Sequence, residues 1–233
     1  MKNNQINSRR KFIGTLAATA GLSGLASPVL AYSLMEKGTT MVKHAVEIND
    51  ADSWFDQVKG VHRVVYDAPQ PNGIFTFAWP RIFLLTNEGT GTPEKDCSVV
   101  VVLRHDAIAY AMEHSLWPKY NFTALFHAPD PLTQKTSDRN PFWKPKPGTF
   151  EVPGIGEVAI GIDQLQESGV MFCVCNAALT VYSGAAAQSM NLDPKAVYEE
   201  WLAGLLPNIQ IVPSGVWALG RAQERGCAYI FAG

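Results

Sequence analysis

Five short stretches rich in β-branched and aromatic residues punctuate the chain, at 61–67, 98–103, 170–175, 208–212 and 227–231. Two of them, Val99-Val100-Val101-Val102-Leu103 and Val170-Met171-Phe172-Cys173-Val174-Cys175, are unbroken apolar runs of strand length. Such runs predict strands buried on both faces, as in a parallel sheet covered by helices. Helical patterns fill most of the intervals. Ile74 to Thr86 has the apolar density of a buried helix, which Pro80 should kink or divide. Ala107 to Trp117 reads as a helix stopped by Pro118. Ile162 to Ser168 reads as a short helix that Gly169 ends, and Asn176 stands as N-cap before Ala177-Ala178-Leu179. Asp193 followed by Pro194 gives a strong helix start, and Ser214 caps a last helix that Gly226 stops. Strands alternating with helices predict one three-layer α/β/α domain over 61–233, built on a five-stranded, mostly parallel sheet. The sequence does not give the strand order; flavodoxin-like winding would make it 2-1-3-4-5.

Two segments break this pattern. Residues 127–156 contain six prolines, keep no hydrophobic period and include Asn140-Pro141-Phe142-Trp143. A loop of this length reads as a functional cover or a partner surface, with Asn140 and Phe142 as binding candidates. Residues 1–31 carry Ser8-Arg9-Arg10-Lys11-Phe12-Ile13-Gly14, then a weakly hydrophobic stretch and small residues before Ala31. They resemble a twin-arginine (Tat) export signal, with Arg9, Arg10 and Phe12 in register. The resemblance implies a chain that folds first, meets the Tat translocase and works in the periplasm. Residues 32–60 read as a tether with a short helix near Asp52 to Val58.

Charge and composition narrow the partners. The chain has 233 residues and a formal net charge of −2, which falls to about −6 once the basic leader is set aside. An acidic chain without a basic run argues against nucleic acid. No later apolar run reaches membrane-spanning length, so no stable span is expected after processing.

The chemistry concentrates where apolar strands give way to polar residues. Cys175 ends the third strand at a helix start, the position where a helix dipole favours thiolate and where open α/β sheets hold their ligands. It is the candidate nucleophile, for sulfane sulfur or a persulfide; the alternative is a buried cysteine acting as a small hydrophobe. Arg104-His105-Asp106 ends the second strand. His105 is the candidate to assist Cys175, with one strand between them in the flavodoxin order, so that converging side chains could meet across about 10 Å. Arg104 and Asp106 are candidates to fix an anion or to pair with each other, and Asn176 and Ser214 flank the same edge. Cys173, two residues before Cys175, should share its face and reads as core. Cys97 and Cys227 could pair only across neighbouring strands. His105, His114, His127 and Cys175 are ligand types without compact spacing, so no metal is expected, and no cofactor motif is present.

With these residues assembled, the second half of the chain resembles the DsrE/DsrF-like family. The resemblance rests on Gly169-Val170-Met171-Phe172-Cys173-Val174-Cys175-Asn176-Ala177-Ala178-Leu179, on 206–216 and on 222–230, with Arg104-His105 matching the exported branch. It implies a five-stranded sheet, a homo-oligomer and sulfur relayed as a persulfide on the residue corresponding to Cys175. A non-catalytic oligomeric module on the same fold, with 127–156 as its partner surface, is the alternative. Metal or cofactor carriage is a third.

Overall fold

A computed structural model describes residues 51–233; the arginine pair, Phe12, the leader and tether residues 32–50 lie outside the described residues. Five parallel strands form the central sheet: β1 (His62–Ala68), β2 (Cys97–Leu103), β5 (Met171–Cys175), β6 (Ile209–Val212) and β7 (Ala228–Phe231). A two-stranded antiparallel hairpin, β3 (Glu151–Val152) with β4 (Gly156–Glu157), stands apart from it. The helices are α1 (Ala51–Trp54), α2 (Phe75–Gly89), α3 (Leu116–Lys119), α4 (Phe122–Leu125), α5 (Ile162–Glu167), α6 (Asn176–Met190), α7 (Pro194–Ala203) and α8 (Gly215–Glu224).

Alternation along the strands builds two cores. Val64, Tyr66, Val99, Val101, Leu103, Phe172 and Val174 face one side, under Phe77 and Leu84 of α2, Leu179 of α6 and Trp201 of α7. Val65, Val100, Val102 and Cys173 face the other, under Ala218, Leu219 and Ala222 of α8. Central strands buried on both faces need apolar residues at every position, which is why β2 reads as an unbroken run. The fold class is therefore the α/β sandwich expected.

The strand order is β6-β5-β2-β1-β7, not 2-1-3-4-5. From β1 the chain steps one strand at a time in a single direction, to β2, β5 and β6, and reverses only once. Right-handed crossovers that all step one way put their helices on one face; the single reversal through α8 covers the other. β2 and β5 are thus direct neighbours, with Leu103 in register with Val174.

Four local expectations are corrected. Ala51, Phe55 and Val58 are buried against the α8 side of the sheet, so the domain includes 51–60 as well as 61–233. Of the two outcomes expected at Pro80, a kink or a division, the division does not occur, and α2 runs on through it; Pro80 falls soon after the first turn, where its missing N–H costs one intrahelical bond. Ala107 to Trp117 is not one α-helix. His105–Ala111 winds as a 3-10 helix, Met112 turns extended and bridges to Leu205, and Pro118 lies inside α3. Glu113 N–H donates to Gly204 O at 2.8 Å and Leu206 N–H to Ala111 O at 2.9 Å, so strand-like pairing with the segment after α7 replaces helical bonds. Finally, the proline-rich stretch folds inward. Phe142, Trp143 and Phe150 are buried, with the Phe142 and Phe150 rings stacked at 5.1 Å. Fully buried Asn140 donates to the carbonyls of Tyr110 and Met112 and accepts from Phe142 N–H. Asn140 and Phe142, both fully buried, hold the loop to the core.

Candidate functional site at the carboxyl edge

Cys175 is the last residue of β5 and itself caps α6, a role the sequence suggested for Asn176. Its Sγ accepts a hydrogen bond from Ala178 N–H at 3.3 Å. Asn176 is the first helical residue, and its side chain is engaged by the Tyr198 hydroxyl at 2.6 Å. Cys175 is 7% exposed. It packs with the core on the α6 side, whereas Cys173 is sealed on the α8 side. The strand-to-helix turn breaks the strict alternation that would have put both sulfurs on one face. Burial pushes the Cys173 thiol well above the ordinary range.

Register decides which neighbour meets Cys175. Because Leu103 pairs with Val174, the next residue along β2, Arg104, comes level with Cys175, and its charge interacts with that sulfur. Arg104 is held by a two-pronged ion pair: Nε lies 2.6 Å from Asp67 Oδ1 and Nη2 lies 2.9 Å from Oδ2. Asp67, at the end of β1, is 2% exposed, and its Oδ2 also accepts from the Tyr229 hydroxyl of β7 at 2.7 Å. The bond to Asp67 holds the Arg104 guanidinium more firmly protonated and raises the Tyr229 hydroxyl. The Arg104 stem lies on Gly215, the first residue of α8. Ser214 caps α8 by accepting from Trp217 N–H at 3.3 Å, so it is a structural cap at this edge.

His105 finds its partners along α6. Its backbone turns left-handed, φ 49°, and carries the ring toward α6. Nδ1 lies 2.8 Å from Asp106 Oδ1 and 3.0 Å from the Tyr182 hydroxyl. Tyr182 donates a short hydrogen bond to Asp106, and burial followed by that bond pushes its hydroxyl pKa up. His127 approaches the other Asp106 oxygen at 3.6 Å. The edge thus holds two clusters, Asp67–Arg104–Tyr229 beside Cys175 and His105–Asp106–Tyr182–His127 along α6. Asp106 belongs to the second cluster, and Arg104 pairs with Asp67 rather than with it.

Asp67 and Tyr229 in the first cluster, and Tyr182 in the second, are the residues that sequence reasoning missed. Asp67 carried a signal, a lone acid closing an apolar strand, whereas nothing marks Tyr229 within Ala-Tyr-Ile-Phe. All four cysteines are free thiols; β1 lies between β2 and β7, so Cys97 and Cys227 do not stand on adjacent strands. His114 lies elsewhere, under the proline-rich loop, where its Nδ1 accepts from Asn140 N–H. Among the described residues no group of three or more His, Cys, Asp or Glu side chains is arranged to hold a metal ion. Two open grooves sit at the amino-terminal edge, around Gly169 and Met171, far from these groups in the topology.

No family model and no curated protein matches the chain. A solved structure of a protein of unknown function from Methanobacterium thermoautotrophicum is similar at 16% identity, covering 73% of this chain and 98% of that one, with a TM-score of 0.37.

Proposed function

We propose that the chain is a DsrE-like sulfur carrier whose Cys175 takes up and passes on sulfane sulfur. The observation that carries this reading is the pairing at β5's carboxyl end. Cys175 Sγ accepts the Ala178 N–H at a helix start, level with an arginine that Asp67 holds in place. Both the amide and the guanidinium are favourable partners for negative charge on sulfur. In the loading step the Cys175 thiolate attacks the outer sulfur of a donor persulfide, RS–SH. The new Sγ–S bond forms as the donor S–S bond breaks, leaving Cys175 as Sγ–SH and releasing RS⁻. The same displacement by an acceptor thiolate returns Cys175 to its thiolate. Export through the Tat translocase to the periplasm belongs to the same reading and rests on Arg9, Arg10 and Phe12.

The test is sulfur loading. The full chain treated with inorganic polysulfide should gain one sulfur atom, localised by fragmentation to Cys175 rather than Cys173, and Cys175→Ser should gain none. Equal loading of the two proteins refutes the proposal. A second reading, a non-catalytic oligomeric module, draws on the 7% exposure of Cys175 and on the turn of His105 away from it; it expects no loading in either protein.

A further inference from the structure

The amino-terminal edge of the sheet, opposite Cys175, is open where β5 and β6 begin. Two adjoining grooves of about 440 and 360 Å³ meet there and share Gln57, Gly169 and Met171. The larger has the volume of a small-molecule site. It runs between residues 54–57 and the first residues of β5 and β6. Trp54 lines it together with four primary amides, Gln57, Gln166, Asn208 and Gln210. No charged side chain among the described residues lines this groove. The smaller one brings two acids, Glu94 and Asp96, and two bases, Lys59 and Lys95, whose charges cancel.

The amides are committed in one direction. Gln57 donates through Nε2 to Trp54 O at 3.2 Å, Gln166 to Pro207 O at 2.9 Å and Gln210 to Ile211 O at 2.9 Å. Each bond fixes a side-chain amide by its nitrogen. The carbonyl oxygen, an acceptor with two lone pairs, is left without a partner among the described residues. Asn208 has no side-chain partner among them either, and its backbone is left-handed, φ 58°, where the chain turns into β6. The groove therefore offers fixed acceptors, an indole and no charge.

We infer that this groove binds a neutral sugar, a pyranose unit laid with its C–H face on Trp54 and its hydroxyls donating to the glutamine oxygens. A sugar supplies what the walls lack: several O–H donors, and a ring face apolar enough to lie on an aromatic surface. A carboxylate or phosphate would face carbonyl oxygens, and an ammonium group would lose its water with no anion in the larger groove to replace it. The site lies at the far edge of the sheet from Cys175, so it stands whether or not that thiol carries sulfur.

Saturation-transfer NMR on the full chain with glucose, N-acetylglucosamine and maltose tests this. At least one of them should take up saturation, most strongly on its ring C–H protons. Trp54→Ala should weaken that sugar's affinity at least about tenfold. Gln57→Leu, which keeps the stem and removes the acceptor, should weaken it about fivefold. Gln223→Leu, at an exposed glutamine of α8, should leave it unaltered. If Trp54→Ala does not fold, Gln57→Leu decides. No saturation of any of the three sugars overturns the inference, as does binding that both groove variants keep. A capped peptide, N-acetylalanine methylamide, that binds where the sugars do not would overturn it as well.

Discussion

Gly215 has no room for a side chain, because a β-carbon there would stand 2.5 Å from Arg104 Cβ and 2.7 Å from its Cδ. The missing methyl lets the start of α8 press the arginine stem into place while Asp67 holds the head. Gly215→Ala should therefore displace Arg104 and destabilise the fold by about 1–3 kcal/mol, measured by urea unfolding. An unchanged midpoint would show that Arg104 is not held by this contact. At this scale the sequence was informative about type and less so about partnership. Cys175, Arg104, His105 and Asp106 all lie at the carboxyl edge, as apolar strands ending in polar residues implied. Which of them meet was decided by register and by one left-handed backbone turn at His105, and neither leaves a trace in composition or spacing. Ser214 does what its residue type suggests, capping α8, and that role occupies it.

Elements with strong local signals formed where expected: β2 and β5 from unbroken apolar runs, and α7 from Asp193, whose carboxylate accepts from Ala196 N–H at 2.8 Å. The failures have a shared cause, tertiary pairing that outweighs local preference. Residues 107–117 have helical composition, yet Ala111 O and Glu113 N–H are bonded across to Leu206 and Gly204, so an α-helical ladder cannot run through this point. The proline-rich stretch looked like surface because it has no period, but an irregular segment can still bury its aromatics when side chains such as Asn140 satisfy the backbone around it. His114 is part of that anchorage. Burial, then the nearby Arg139, holds its pKa below the usual 6.5. A histidine depressed in the folded state contributes stability that is present above 6.5 and is lost as pH falls through its folded pKa. Unfolding free energy should accordingly fall on acidification below about pH 6.5, and His114→Gln should flatten that part of the profile. An identical slope in the variant would remove His114 from the account.

At the scale of the whole molecule, the fold class was legible and the winding was not. Alternating strand and helix patterns specify a covered parallel sheet, but the order of strands depends on which way each crossover steps. Here three steps run one way and a single reversal through α8 returns the last strand to the side of β1. That order makes β2 and β5 neighbours, at a spacing of about 4.8 Å rather than twice that, and their register then brings Arg104 level with Cys175. It also leaves β7 on an outer edge with Tyr229 reaching back to Asp67. The central proposal is that Cys175, at the carboxyl edge level with Arg104, is the thiol that takes up sulfur. Burial raises the thiols of Cys97, Cys173 and Cys227, with Asp96 and Glu94 adding to the first. The most direct measurement is timed alkylation of the native chain with iodoacetamide, read cysteine by cysteine by mass spectrometry. Cys175 should react at least about tenfold faster than Cys173 and Cys227, and Arg104→Gln should slow it. Cys175 reacting no faster than Cys173, only as the chain unfolds, would contradict the account.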